Sequence, residues 1–361
     1  MEESTNISKL TVSQMTERLS NAYSNIILSN KPLKRFPSVM LWGAPGVGKS
    51  QGVKQIAKKI QEKTNKKVFV TDVRLLLFNP VDLRGIPTAN EDKTLAVWLK
   101  PNIFQMDSSE DVINILFLDE ISAAPQSVQA SAYQITLDRT VGEHKLPDNC
   151  IVIAAGNRVT DKSVAYNMPK ALANRLCHFE IKSDVDSWHR WAVQAGIHEY
   201  VSGYIEYNSV ALMRFDSTGT DLAFATPRSW EMASNILNDV SSDIDLVYPM
   251  IIGCIGHDTA CSFKAWVELY DDLPKMEDIF SGKSANTLNS KEYLIALRSA
   301  LVSYARKNPK KEKIDNSIEF ACSLPWEFRK KLLRDYYCIA ELRPIVQENE
   351  VFKTALRNGL K

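Results

Sequence analysis

Short apolar runs alternate with longer amphipathic ones through the first half of the chain, and the second half is amphipathic almost throughout. Val39–Trp42, Val68–Asp72, Val112–Leu118, Ile151–Ala155 and Leu176–Ile181 are each too short for a helix and rich in β-forming residues. Helix-like or loop-like sequence separates them, an alternation that predicts a parallel sheet flanked by helices. Ahead of the first run, Val12–Ile27 gathers Met15, Leu19, Ala22, Tyr23 and Ile26 on one helical face. Behind it, Gln51–Glu62 does the same with Val53, Ile56, Ala57 and Ile60, and sets Lys54, Lys58 and Lys59 opposite.

Two stretches break the alternation. Residues 78–107 hold Pro80, Pro87 and Pro101 and are too long for a simple connection, which predicts an inserted functional element. Residues 137–149 predict a hairpin turning at Val141-Gly142-Glu143. After about residue 183 the strand pattern fades. Helices are predicted at Trp188–Ala195, Ser229–Asp239, Cys261–Tyr270, Lys291–Ala305 and Pro325–Leu342, with Ser281–Ser290 a polar loop and Arg306–Lys313 a basic, solvated one.

Composition narrows the class without naming it. The chain has 361 residues, 45% of them hydrophobic and 24% charged, enough for two domains or one large one with a real core. A net charge of +1 does not suggest a committed polyanion binder. No apolar stretch approaches the roughly 18 residues of a membrane span, and the polar N-terminus does not read as a secretory signal. The six cysteines contain no C-x-x-C and fit a reducing cytoplasm. The five histidines show no H-E-x-x-H, so a metal site built by protein alone is not expected.

The first apolar run leads into Gly43-Ala44-Pro45-Gly46-Val47-Gly48-Lys49-Ser50, which fills the G-x-x-x-x-G-K-[ST] pattern between a strand and a helix. Glycines let backbone N–H groups close around phosphate oxygens, Lys49 supplies a point charge to the β- and γ-phosphates, and the Ser50 hydroxyl suits Mg²⁺. The helix that follows adds the positive end of its dipole. The chain is therefore expected to bind a nucleoside triphosphate.

Ile115-Leu116-Phe117-Leu118-Asp119-Glu120 puts two carboxylates at the C-terminal end of a buried strand, the sheet edge where ligands bind. Asp119 is expected to hold Mg²⁺ through water, and Glu120 to orient or deprotonate an attacking water. Asn157 ends the next buried strand and can hold that water or touch the γ-phosphate; a turn-forming Asn is the alternative. Arg158 beside it is ambiguous. Arg228 follows Thr226-Pro227 in the first turn of a helix, where a cation opposes the dipole and calls for an anionic partner, a triphosphate or a surface salt bridge. Arg175 precedes the strand Leu176–Ile181 and so falls at the edge away from its own phosphates. It is either an arginine finger for a neighbouring subunit or a surface Arg at an element boundary.

Together these motifs resemble the AAA+ ATPases, and within them the MoxR-like branch, over roughly residues 10–270. Residues 43–50 match Walker A, 116–120 Walker B, Asn157 sensor 1, Arg175 the arginine finger and Arg228 sensor 2. The insert at about 78–107 and the hairpin at about 137–149 match the helix-2 insert and the pre-sensor-1 hairpin of that branch. The run Leu118–Pro125 with Val128-Gln129 is especially similar, although Ser122-Ala123 stands where the branch more often has Asn-Arg or Asn-Lys. The resemblance implies a P-loop α/β domain over residues 1–222 and a helical lid with further C-terminal helices over 223–361. It also implies ATP and Mg²⁺ at the subunit boundaries of a homo-hexameric ring, with Arg175 acting in trans. Such ATPases are chaperone-like remodellers, often paired with a protein that carries a von Willebrand factor A domain.

A nucleic-acid motor or loader is the alternative, with Arg139, His144 and Lys145 of the hairpin and the basic loop 306–313 gripping a strand. A small-molecule kinase leaves Asn157, Arg228 and the helical tail without a role. A guanine-reading N-K-x-D is missing, because Thr64-Asn65-Lys66-Lys67 lacks its aspartate.

Overall fold

Every apolar run becomes a strand of one parallel sheet. The strands are β1 (Ser8–Thr11), β2 (Val39–Trp42), β3 (Lys67–Arg74), β4 (Ile86–Ala89), β5 (Ala96–Leu99), β6 (Val112–Asp119), β7 (Thr140–Val141), β8 (His144–Lys145), β9 (Cys150–Gly156) and β10 (Cys177–Lys182). In this computed structural model, which describes residues 7–158, 168, 170–216 and 220–357, the main sheet has the order β1-β10-β2-β9-β6-β3. All its pairings are parallel, with Val39 opposite both Cys177 and Ile153, and Leu118 opposite both Ala154 and Val73. β1 was not expected. It is short, carries Lys9, and becomes a strand through its pairing with β10.

Strand residues point alternately to the two faces, and here both faces are covered, which is why the strands read as continuous apolar runs. Val39, Leu41, Ile115, Phe117, Ile151 and Ile153 meet α1 (Val12–Leu28) and α2 (Lys49–Thr64). Met40, Leu116, Leu118, Val152 and Ala154 join a cluster with Val128, Ala132 and Ile135 of a helix on the other face. Three further helices lie in this part of the chain among the described residues: α3 (Pro80–Arg84), α4 (Gln126–Asp138), which supplies that second face, and α5 (Lys170–Ala173).

The insert is α3 followed by the antiparallel pair β4–β5. Leu83 and Phe104 bury themselves in the α4-side cluster and anchor it. Its outer part is unusually apolar for an exposed element: Val81, Ile86, Leu95 and Leu99 are each more than half exposed. β7 and β8 form the expected hairpin, with Gly142 at positive φ in the turn. His144 Nε2 lies 2.8 Å from the Trp98 carbonyl, which ties hairpin to insert. Arg139 caps α4 and donates to the carbonyls of Cys150 (2.5 Å) and Phe36 (3.4 Å).

The chain divides into two compact units, Met1–Lys182 and Ser183–Lys361. The division falls before α6 (Val185–Ala195) and α7 (Glu199–Tyr207) rather than at 222/223. The reason is apolar: Trp188, Ala192, Val201, Tyr204 and Ile205 share one cluster with Trp230, Phe263 and Trp266. The second unit continues with α8 (Pro227–Asp239), α9 (Ile244–Ile255), α10 (His257–Val267), α11 (Met276–Phe280), α12 (Lys291–Lys307), α13 (Lys311–Cys322), α14 (Trp326–Cys338), α15 (Arg343–Glu348) and α16 (Glu350–Arg357). Residues 306–313 are not the solvated loop expected. Arg306 and Lys307 finish α12, Lys311–Lys313 begin α13, and three of the cations have partners within the unit. Arg306 donates to the Val193 carbonyl, Lys311 pairs with Glu348 (2.6 Å) and Lys313 with Glu277 (3.1 Å).

Inside this unit Arg298, 4% exposed, lies against Glu206 and has its Nε 3.2 Å from Asp335, while Lys331 also pairs with Glu206. Burial alone would raise the Asp335 carboxyl; Arg298 and His189 outweigh it and hold it below its usual value. Among the described residues no helix is long and apolar enough to cross a membrane.

Candidate active site

β2 stops at Trp42 and α2 starts at Lys49, so residues 43–48 must reverse direction within a few ångströms. Gly46 (φ 76°) and Gly48 (φ 103°) make the turn in backbone conformations costly to other residues. The first turn of α2 carries no acidic side chain, which leaves its N–H groups and dipole facing the loop uncompensated by charge from within the helix. Lys49 is buried and donates to the carbonyls of Gly43 (2.6 Å) and Ala44 (3.2 Å) and to Asn157 Oδ1 (2.9 Å). Ser50 Oγ donates to Asp119 Oδ2 at 2.7 Å.

Strand alternation explains why these groups meet. Ile113, Ile115 and Phe117 face α2, so Asp119, two further along β6, faces it too, at the level where Ser50 opens the helix. Ile151, Ile153 and Ala155 face the same way on β9, which sends Asn157 toward Lys49. The structure thus brings Lys49, Ser50, Asp119 and Asn157 together at the C-terminal edge of the sheet.

Glu120 sits at φ 59°, a left-handed conformation that side-chain-bearing residues seldom adopt. Its N–H donates to Asp119 Oδ1 (2.9 Å), so the Asp119 carboxylate is held on one oxygen by Ser50 and on the other by backbone. The chain then rejoins the sheet: Ile121 N–H donates to the Ala155 carbonyl at 3.0 Å. Ser122 follows, 3% exposed, with its Oγ accepting from the Asn157 N–H at 2.9 Å.

Three neighbours went unread in the sequence. Ser122 is one. Asp72 is another: it is opposite Phe117 on β3 and so shares the face of Asp119, and burial, with the Asp119 charge added, raises the Asp72 carboxyl above its usual range. Its position at the end of an apolar run was the available signal. The third is Glu180, buried on β10, whose Oε1 lies 2.7 Å from Arg158 Nη1 and 3.8 Å from Lys9 Nζ. That pair gives Arg158 a place, bracing the end of β9 against β10.

Arg175 lies just before β10, whose first residue pairs with Val39, hence at the N-terminal edge of the sheet. It lines a cleft of about 360 Å³ with Lys34, Ser38, Asp138 and Arg139 and is exposed. Arg228 is in the second unit, exposed in the first turn of α8. Thr226 caps that helix, in a reciprocal box with Ser229, and Pro227 is its first residue. Neither Arg175 nor Arg228 makes an ion pair among the described residues.

The Ser50 hydroxyl and the Asp119 carboxylate are hard oxygen donors at one spot, a set that fits Mg²⁺ whose other ligands are phosphate oxygens and water. Among the described residues no group of three or more His, Cys, Asp or Glu could hold a metal on its own.

Residues 38–178 match the family described as ATPase family associated with various cellular activities (AAA). No curated protein matches the chain. Among solved structures it is similar to NtrX from Brucella abortus, at 13% identity, 96% of this chain, 68% of that one and a TM-score of 0.32. A RuvB mutant from Thermotoga maritima is similar at 13% identity, 80% and 81% coverage and a TM-score of 0.36. The ORC2 protein of Aeropyrum pernix, in ADPNP-ADP complexes, is similar at 12% identity, 99% and 98% coverage and a TM-score of 0.35. Likenesses this distant lend no residue roles, so identification rests on the family match and on the chain's own geometry. Residues 38–178 combine that family match with a phosphate loop and paired carboxylates at one sheet edge, and the chain is an ATP hydrolase.

Proposed function

We propose that this chain is a MoxR-like ATPase that assembles into a homo-hexameric ring and hydrolyses ATP at its subunit boundaries to remodel or assemble a protein partner. The observation that carries this reading is the separation of two cationic features on one sheet. The phosphate loop is at the C-terminal edge and Arg175 at the N-terminal edge, about 13 Å of strand apart. Arg175 then meets a triphosphate on another copy, as a finger in trans.

Within each copy the backbone of residues 43–48 and Lys49 cradle the phosphates, and Lys49 offers its charge to the β- and γ-groups. Ser50 and Asp119 would hold Mg²⁺, which when bound neutralises phosphate charge. Glu120 takes the proton of the attacking water, Asn157 orients that water, and Arg228 has the sensor 2 role that the resemblance implies.

The exposed apolar residues of the insert support a protein partner, one with a von Willebrand factor A domain being what the resemblance implies. The nucleic-acid reading has less to stand on, because Arg139, His144, Arg306, Lys311 and Lys313 are engaged within the fold. Little stimulation by nucleic acid at low salt is expected.

The ring is tested by mixing. Glu120→Gln protein and Arg175→Ala protein are each expected to be inactive while still binding ATP, and mixed rings should regain activity where an intact Glu120 faces an intact Arg175. Failure to complement at any ratio, with both variants folded and assembled, rules out action in trans.

A further inference from the structure

We propose that Ser122 is a positioning residue for Asn157, its hydroxyl locking the amide-bearing end of β9 to the Glu120 loop so that both hold the attacking water as one unit. The proposal rests on the role given to Asn157 above.

Ser122 is two residues beyond Glu120 and buried at 3% exposure. Its Oγ accepts the Asn157 N–H at 2.9 Å, across 35 residues of chain. The ladder between β6 and β9 ends at Leu118 and Ala154, so it provides no acceptor for that N–H. An amide half withdrawn from water and without a partner is costly, and a hydroxyl on a short stem is a small group able to serve it.

The close approach is built in. A Cβ on Gly156 would come 2.7 Å from Ser122 Oγ and 2.9 Å from Met40 Cε, so glycine there is what lets the hydroxyl in. Ser122 is itself held from below. Gln129 Nε2 donates to the carbonyls of Ser122 (3.3 Å) and Ala124 (2.9 Å), and Tyr133 OH donates to Gln129 Oε1 (3.1 Å). A buried polar relay therefore runs from α4 through Ser122 to Asn157, whose Oδ1 accepts from Lys49 (2.9 Å). It passes within two residues of Glu120.

The test measures kcat, KM and nucleotide affinity on the full chain for Ser122→Ala, Ser122→Cys, Asn157→Ala and the Ser122→Ala/Asn157→Ala double variant. Loss of one hydrogen bond to a half-buried amide should lower kcat about tenfold in Ser122→Ala, with ATP affinity within about twofold of the parent. Ser122→Cys keeps an atom at the γ position but offers a poor acceptor, so it should fall alike, and it decides the matter if the alanine variant does not fold. In the Asn157→Ala background, Ser122→Ala should cost no more than about twofold, because the two residues act through one group. Parental kcat in both Ser122 variants, or penalties that multiply in the double variant, overturns the proposal and leaves the role of Asn157 intact. Parental kcat in Asn157→Ala removes that role and the proposal with it.

Discussion

Arg298 in the helical unit and Arg175 at the sheet's N-terminal edge are the same residue in opposite circumstances. Arg298 is closed off from water and touches two carboxylates, Glu206 and Asp335. Arg175 is exposed on a cleft that also has Lys34 and Arg139, with no ion pair among the described residues. A buried cation has to be answered within its own fold, since uncompensated charge in low dielectric is costly. An exposed one can wait for an anion brought from elsewhere. The difference separates an arginine that holds a domain together from one free to act on a ligand.

Replacing each arginine should therefore give opposite results. Arg175→Ala is expected to lower turnover of the assembled protein about a thousandfold, or about 4 kcal/mol, and to leave the urea midpoint unchanged. A loss of stability instead would erase the contrast. Arg298→Ala should cost about 3–5 kcal/mol in urea unfolding, because Asp335 is left buried without its main partner. Replacing Arg298 and Asp335 together by apolar residues should cost less than Arg298→Ala alone.

Acid titration probes the helical unit further. Burial, helped by Lys307, pushes His198 down from 6.5 to about 4. Its Nδ1 accepts the Tyr200 N–H at 3.3 Å, which requires the neutral ring. The unfolded chain binds this proton first, so stability should fall as pH drops from about 6.5 to about 4, by up to about 3 kcal/mol. His198→Gln should flatten that slope in unfolding titrations. Smallest is Thr226→Ala, which removes the cap of α8 and should cost about 1 kcal/mol.

What could be read in advance was what lies close together in sequence. The phosphate loop, Asp119-Glu120 and the strands before them are contiguous, and two-sided burial makes those strands apolar throughout. Asn157 was legible because it closes such a strand. β1 was not, because four mixed residues become a strand only against β10. Ser122 looked like a departure from a family pattern, and its partner is 35 residues away. The basic 306–313 segment misled because its acceptors, Val193, Glu277 and Glu348, are remote along the chain.

The alternation along β6 carries a consequence for how this gene can drift. Point changes at Ile115 or Phe117 keep the reading frame of faces, and Asp119 still arrives beside Ser50. Deleting or adding a single residue between Ile113 and Leu118 hands the carboxylate to the α4 side and buries it among Val128 and Ala132. The strand forgives spelling errors and punishes miscounting.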